Sequence, residues 1–296
     1  MSVYTLQNDQ LKLQMDDLGA ELTSVLDQKT NKEYLWNADP AYWKRHSPIL
    51  FPIVGSVKNK TYTYQGKEYT LPQHGFARDA QFICISQSEN EIWFRLEATE
   101  ETLKVYPFLF ALEIGYQLID RSVKCLWKVM NQDTSVMYFS IGGHPAFYCP
   151  LDPSHNQNEY YFGFDQKDPL HYILVDNQGF AVNKPFEEQY ILDTDQGVCP
   201  IDPHMFDHDA LIIEHHQCHE VSLLDPSKKP YVTVTFDAPL FGLWSPTGKN
   251  APFICIEPWY GRCDNSDFFG SLEEKAWINS LAAGDIFSTF YTITIA

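Results

Sequence analysis

Two arms of strict alternation, one on each side of Asp120 and Arg121, constrain this chain more than any other feature. Phe108, Phe110, Leu112, Ile114, Tyr116 and Leu118 recur at every second residue of the first arm, and Val123, Cys125, Trp127 and Val129 do so in the second. Successive side chains of a strand point to opposite faces, so each arm carries one apolar face that must be covered. A helix would scatter the same residues around its circumference. The arms therefore predict a long antiparallel hairpin turning at residues 120 and 121.

Shorter versions of the pattern run from end to end. Leu11, Leu13 and Met15 alternate with Lys12, Gln14 and Asp16. TYTYQGKEYTL reads as a hairpin through Gln65, Gly66 and Lys67, with Gly66 free to take positive φ. QFICIS and EIWFRLEA flank a polar turn from Gln87 to Asn90, while YVTVTF (231–236) and FSTFYTITI (287–295) are β-branched strands. Helical signal is confined to ATEETLKVY, one or two turns with Thr99 as N-cap. With no alternating βαβ rhythm, the chain is expected to be all-β, a large antiparallel β-sandwich with few short helices. No linker or composition shift divides it, so residues 1–296 are expected to form a single domain. Residues 149–175, rich in Pro and Asn before a Tyr/Phe stretch, are expected to be long loops over one end.

Charge limits the partners. Asp and Glu number 39 against 21 Lys and Arg, a formal charge of -18, which repels nucleic acid and anionic membrane surfaces. A neutral ligand such as a sugar is indifferent to that field, whereas a phosphorylated one needs a local basic patch. The segment MSVYTLQNDQLKLQMDD has neither a basic n-region nor an apolar h-region, and no run approaches the ~18 apolar residues of a membrane span, so a cytoplasmic location is expected. The seven cysteines are scattered and sit in apolar runs, which reads as reduced, buried thiols.

Three segments interrupt the alternation with polar residues: LPQHGFARD (71–79), FSIGGHPAFYCP (139–150) and APFICIEPWYG (251–261). His144, between Gly143 and Pro145, is either a core imidazole bonded to a carbonyl or a group facing a cavity. Glu257, at the end of FICI and beside Trp259, is either ion-paired or a carboxyl raised by desolvation toward general-base range. His74 and Arg78 share a Gly-containing turn, a placement suited to binding. Asp209, opening ALII, reads first as a capping residue. EHHQCHE (214–220) holds three His and one Cys but lacks paired zinc-ligand spacing and reads as a solvated hairpin loop between LII and VSLL. No G-x-G-x-x-G, P-loop or G-x-S-x-G occurs.

FPIVG, LPQHGFAR, IGGHPAF, DALII and ICIEPWYG, in this order over nearly the whole chain, resemble the aldose 1-epimerase (galactose mutarotase-like) family and especially its LacX-like branch. That resemblance implies a cofactor-independent and metal-free isomerase that exchanges the α and β anomers of an aldose in an open cleft. It implies that His144 is the general acid, Glu257 the general base, His74 a second active-site histidine and Asp209 a sugar ligand, while Arg78 is expected to be a substrate contact from its place in the same turn as His74. Trp259, Tyr260 or Trp244 would stack on the sugar. It further implies a small-molecule sugar as the partner; the sequence leaves open whether the chain is a monomer or homodimer. One departure stands out: relatives usually carry Arg after the Gly of FPxxG, and here Ser56 takes that place. A hexose-6-phosphate 1-epimerase and a non-catalytic sugar-binding protein are the two rival readings.

Overall fold

The computed structural model describes residues 2–296. Phe110–Ile119 and Ser122–Asn131 pair in full register from Ile119 opposite Ser122 to Phe110 opposite Asn131, turning at residues 120 and 121 as the alternation predicts. Asp120 adopts φ +50°, the conformation a two-residue hairpin turn needs. This hairpin lies inside a nine-stranded antiparallel sheet whose order is Val198–Pro200, Tyr161–Phe164, Glu220–Leu224, Pro230–Phe236, Ile286–Ile295, Ser122–Asn131, Phe110–Ile119, Glu91–Glu97, Ile83–Gln87. Its inward residues are buried, and Phe110, Leu112, Ile114, Val123, Cys125 and Trp127 are at most 1% exposed.

A second sheet runs Leu211–Ile213, Leu240–Trp244, Phe253–Tyr260, Ile141–Gly143, Ile49–Leu50, with Ala146–Tyr148 also paired to Phe253–Tyr260. A third, four-stranded one is formed by residues 3–33, where Leu11, Leu13 and Met15 are fully buried and the intervening polar residues are not. Side chains from all three sheets meet in one hydrophobic core, giving the antiparallel sandwich. Glu100–Val105 is the only α-helix among the described residues, and Thr99 caps it by accepting from the Thr102 N–H. All seven cysteines are free, and six are buried. No helix among the described residues is long and apolar enough to cross a membrane.

Three expectations need correction. Residues 149–175 are not loops throughout: Tyr161–Phe164 is a strand of the nine-stranded sheet, and Leu170–Tyr172 pairs with Tyr190–Leu192. Only Phe162 and Phe164 alternate there, too short a run to stand out from an aromatic-rich background. EHHQCHE is not a hairpin loop either. It carries the chain from Leu211–Ile213 in one sheet to Glu220–Leu224 in the other, and its Glu214 is buried, accepting from Arg262 Nε at 2.5 Å and Trp277 Nε1 at 2.7 Å. Finally, Glu257 does not end its strand, which continues to Tyr260.

Candidate active site

The strand Phe253–Tyr260 is the spine of the site. On one side Gly142 opposes Trp259 and Ala146 opposes Cys255. His144 sits midway in that interrupted ladder, so the antiparallel register sets it opposite Glu257. On the other side Gly242 opposes Glu257. The His144 N–H donates to the Pro48 carbonyl at 3.1 Å, tying the imidazole-bearing backbone to the adjoining chain.

The result is a close pair: His144 Nε2 lies 3.2 Å from Glu257 Oε2, with the two side chains 8% and 1% exposed. His144 Nδ1 and Glu257 Oε2 are buried without a hydrogen-bond partner among the described residues. Unsatisfied buried polar atoms cost on the order of 1–3 kcal/mol each, so folded chains rarely keep them without use. Burial pushes the Glu257 carboxyl well above the usual carboxylate range, and the Asp209 charge adds to the effect. Burial likewise pushes His144 down to about 3, reinforced by the Arg78 guanidinium. Both shifts oppose separated charges, so the pair holds one proton between its two members across a wide pH range.

The remaining expected residues line the same cleft: His74, Arg78 and Asp209 join His144 and Glu257 around it. His74 is buried, its ring 5.7 Å from that of His144, and burial drives it well below the usual histidine range. The Gly55 N–H donates to His74 Nδ1 at 3.1 Å while the His74 N–H donates back to the Gly55 carbonyl at 2.8 Å. Nδ1 is thereby an acceptor, which assigns the ring proton to Nε2 and makes that edge a donor. Arg78 Nη2 donates to the Gln73 carbonyl at 2.7 Å, while its buried Nε makes no hydrogen bond among the described residues and stands 3.8 Å from Asp79 Oδ2. Arg45 is held by Asp79 at 2.7 Å. Asp209 stands exposed at the rim with φ +68°.

Of the three aromatic candidates, Trp244 and Trp259 line the cleft. Tyr260 does not: strand alternation turns it to the opposite face, where its hydroxyl bonds Thr289 Oγ1 at 2.6 Å. The Trp259 indole fits because its two neighbours are glycines; a Cβ on Gly142 or Gly242 would come within 2.5 or 2.4 Å of the ring. Trp43, Gln73, Val175 and Gly179 also line it and were not expected. Trp43 stacks on His144 with centroids 4.7 Å apart and an interplanar angle of 29°, and Trp244 meets the same ring edge-on at 5.3 Å. Nothing in AYWKRH signals this role, because Trp43 lies in an irregular segment with no periodicity to exploit. Ser56 is half-buried beside Gly55, with its Oγ directed toward Gly179. Two groups of side chains have the composition of a metal site: buried His144, Cys255 and Glu257, and exposed His216, His219 and Asp237.

Known proteins resemble this chain in sequence and in shape. Protein LacX of Lactococcus lactis subsp. lactis, plasmid form, is 33% identical over 98% of both chains. A galactose mutarotase related enzyme from Lactobacillus acidophilus superposes with a TM-score of 0.93 at 36% identity, covering 100% of this chain and 97% of that one. A galactose mutarotase-like protein from Lactobacillus casei gives 0.91 at 28% identity over the whole of both chains. The family model described as Aldose 1-epimerase matches residues 2–267, and on that match and this relatedness the chain belongs to the aldose 1-epimerase family.

Proposed function

We propose that this protein is a cytoplasmic aldose 1-epimerase, a single-domain mutarotase that opens and recloses the hemiacetal ring of an unphosphorylated aldohexose. The observation that carries the reading is the buried His144–Glu257 pair at 3.2 Å, open to a cleft lined by three tryptophans and further polar groups.

Anomer exchange needs a base at the C1 hydroxyl and an acid at the ring oxygen, two atoms bonded to one carbon. In the resting cleft burial favours the proton on Glu257; its shift to His144 across 3.2 Å gives the reactive form. The electron-rich face of Trp43 over the imidazole favours that charged form. Glu257 then takes the C1 hydroxyl proton as His144 donates to the ring oxygen, and the C1–O5 bond breaks to an aldehyde and a C5 hydroxyl. The pair again carries one proton, now on Glu257 with His144 neutral. Rotation about C1–C2 presents the other carbonyl face, and closure returns the protons in reverse. No net proton passes to solvent. Each positioned proton transfer supplies about 10²–10⁴-fold. His74 Nε2–H and the Asp209 carboxylate supply a donor and an acceptor for sugar hydroxyls, and Trp244 or Trp259 offers an apolar ring face.

Polarimetry on freshly dissolved α-glucose and α-galactose tests the reading, with exchange NMR on the corresponding 6-phosphates as the second arm. The expected result is a protein-dependent rate on the free sugars. Equal rates with and without protein on every sugar would end the enzyme reading and leave a binding role. Arg78, whose buried Nε makes no hydrogen bond among the described residues and has only Asp79 Oδ2 at 3.8 Å, is the feature that favours a phosphorylated substrate; a rate confined to the 6-phosphates would establish that alternative.

The shared proton also predicts the pH profile. kcat/KM reports ionisations of the free enzyme. With His144 moved down to about 3, acidification should not charge it in the ordinary histidine range. The rate is expected to stay within about twofold from pH 7 to pH 5, where a normal histidine of pKa ~6.5 would change state, and to fall only on the alkaline side as the pair loses its proton. A tenfold fall centred near pH 6.5 would contradict the one-proton assignment.

A further inference from the structure

We propose that the same cleft is a trap for one thiophilic divalent cation, Zn²⁺ or Cd²⁺, held by His144, Cys255 and Glu257, and that its capture halts anomer exchange. The inhibitory half of this proposal rests on the mutarotase reading; the binding half does not.

Cys255 has no part in the acid–base chemistry, yet strand alternation puts it on the same face as Glu257, two residues away. One ligand atom from each of His144, Cys255 and Glu257 lies within 4.8 Å of the other two. A point can therefore stand no farther than about 2.8 Å from all three, by the geometry of a triangle of that side, against zinc bond lengths of ~2.0–2.3 Å. Shifts of about 0.5–0.8 Å close the remaining gap. Nitrogen, thiolate sulfur and carboxylate oxygen are the donor set of catalytic-type zinc sites, which keep a fourth position open.

Two further observations point to a ligand. Glu257 Oε2, 3.2 Å from His144 Nε2, and His144 Nδ1 are buried with no hydrogen bond among the described residues, so few existing hydrogen bonds compete with a metal. The cleft, lined by His144 and Glu257 though not by the fully buried Cys255, supplies an entry path and space for a water on the open position. Burial and the nearby Glu257 keep the Cys255 thiol protonated, well above its usual range. A bound cation displaces that proton together with the single proton of the His144–Glu257 pair, two in all, and binding therefore strengthens as pH rises. Arg78 and Arg45 oppose the cation, while the overall charge of -18 draws it in. Once bound, the metal occupies both lone pairs that would handle the sugar's protons.

The test uses the full chain and Cd²⁺, whose thiolate complexes absorb in the ultraviolet. Titration is expected to give a Cd–thiolate band saturating at one cation per chain. Cys255→Ser is expected to abolish that band, and Glu257→Gln, which leaves the thiol in place, to weaken Cd²⁺ binding at least tenfold. In parallel, mutarotation by the unsubstituted protein should disappear over the same Cd²⁺ range. Cys255→Ser, measured against its own metal-free rate, should need at least tenfold more cation. A band unchanged by Cys255→Ser or by Glu257→Gln overturns the site, and inhibition of both proteins at equal Cd²⁺ overturns its role. If the unsubstituted protein shows no mutarotation on any sugar, the mutarotase reading fails while the absorption titration still decides the metal site.

Discussion

Glu257→Gln should cost about 10²–10⁴-fold in kcat/KM for anomer exchange, the range a positioned proton transfer supplies, with the chain still folded. Glutamine keeps the volume and the hydrogen-bonding outline but cannot take the C1 proton. His144→Asn should cost a similar factor. The double variant should be little worse than either single one, because both residues act on one shared proton and such effects are not additive. A product of the two single losses would mean that the residues act independently.

Stability supplies a second readout for the same substitution. The folded-state pKa of Glu257 is raised, so this carboxyl favours the native state at low pH, and that contribution is lost as pH climbs from the unfolded value near 4.5 through the folded one. The glutamine amide that replaces it does not titrate. The melting temperature of Glu257→Gln relative to the unsubstituted protein should therefore rise from about pH 5 to about pH 8. A difference independent of pH would show that Glu257 is not destabilised by burial. The His144 shift acts at the other end: its pKa is lowered to about 3, so stability held above the ordinary histidine range is lost as pH falls toward that value. The site buries two ionisable groups whose charged forms burial disfavours, a cost a purely structural core would not carry.

The elements differ in how legible they are, and the reasons are physical. The hairpin around residues 120 and 121 can be read because both arms are long and each has one face under strict demand, so a single-residue slip would expose ten aligned side chains. Tyr161–Phe164 cannot, because a four-residue strand gives only two alternating positions. The same contrast runs through the site. His144, Glu257, His74 and Arg78 are visible because a polar residue interrupts an apolar or glycine-rich segment. Their convergence is not visible. It depends on Phe253–Tyr260 choosing both Ile141–Gly143 and Ala146–Tyr148 as partners, a non-local pairing that no sequence window contains. Trp43 is the clearest omission, since its role comes from the ring it stacks on and from no pattern of its own.

Gly75→Ala is expected to have the largest effect on stability, and the reason ties two distant motifs together. Phe51, from FPIVG, offers its carbonyl to the N–H groups of both Phe76 and Ala77, from LPQHGFAR, at 3.0 and 3.1 Å. Gly75 passes beneath that carbonyl with φ +69°, next to His74 at φ +65°. A Cβ on Gly75 would stand 2.2 Å from the Phe51 oxygen, a backbone atom that cannot turn aside. The left-handed conformation costs ~1–2 kcal/mol and overpacking a further ~1–3. A chain of this size loses roughly 2–4 °C per kcal/mol, so the melting temperature should fall by on the order of 5–15 °C. His74 Nε2 would leave the cleft as the loop shifts, raising KM for the sugar. Gly66→Ala is the control: its φ is +73°, but nothing lies within 4 Å of the added methyl, so only the conformational cost of ~1–2 kcal/mol applies. Equal melting temperatures for the two variants would mean that close packing of Phe51 against Gly75 does not hold the His74 loop in place.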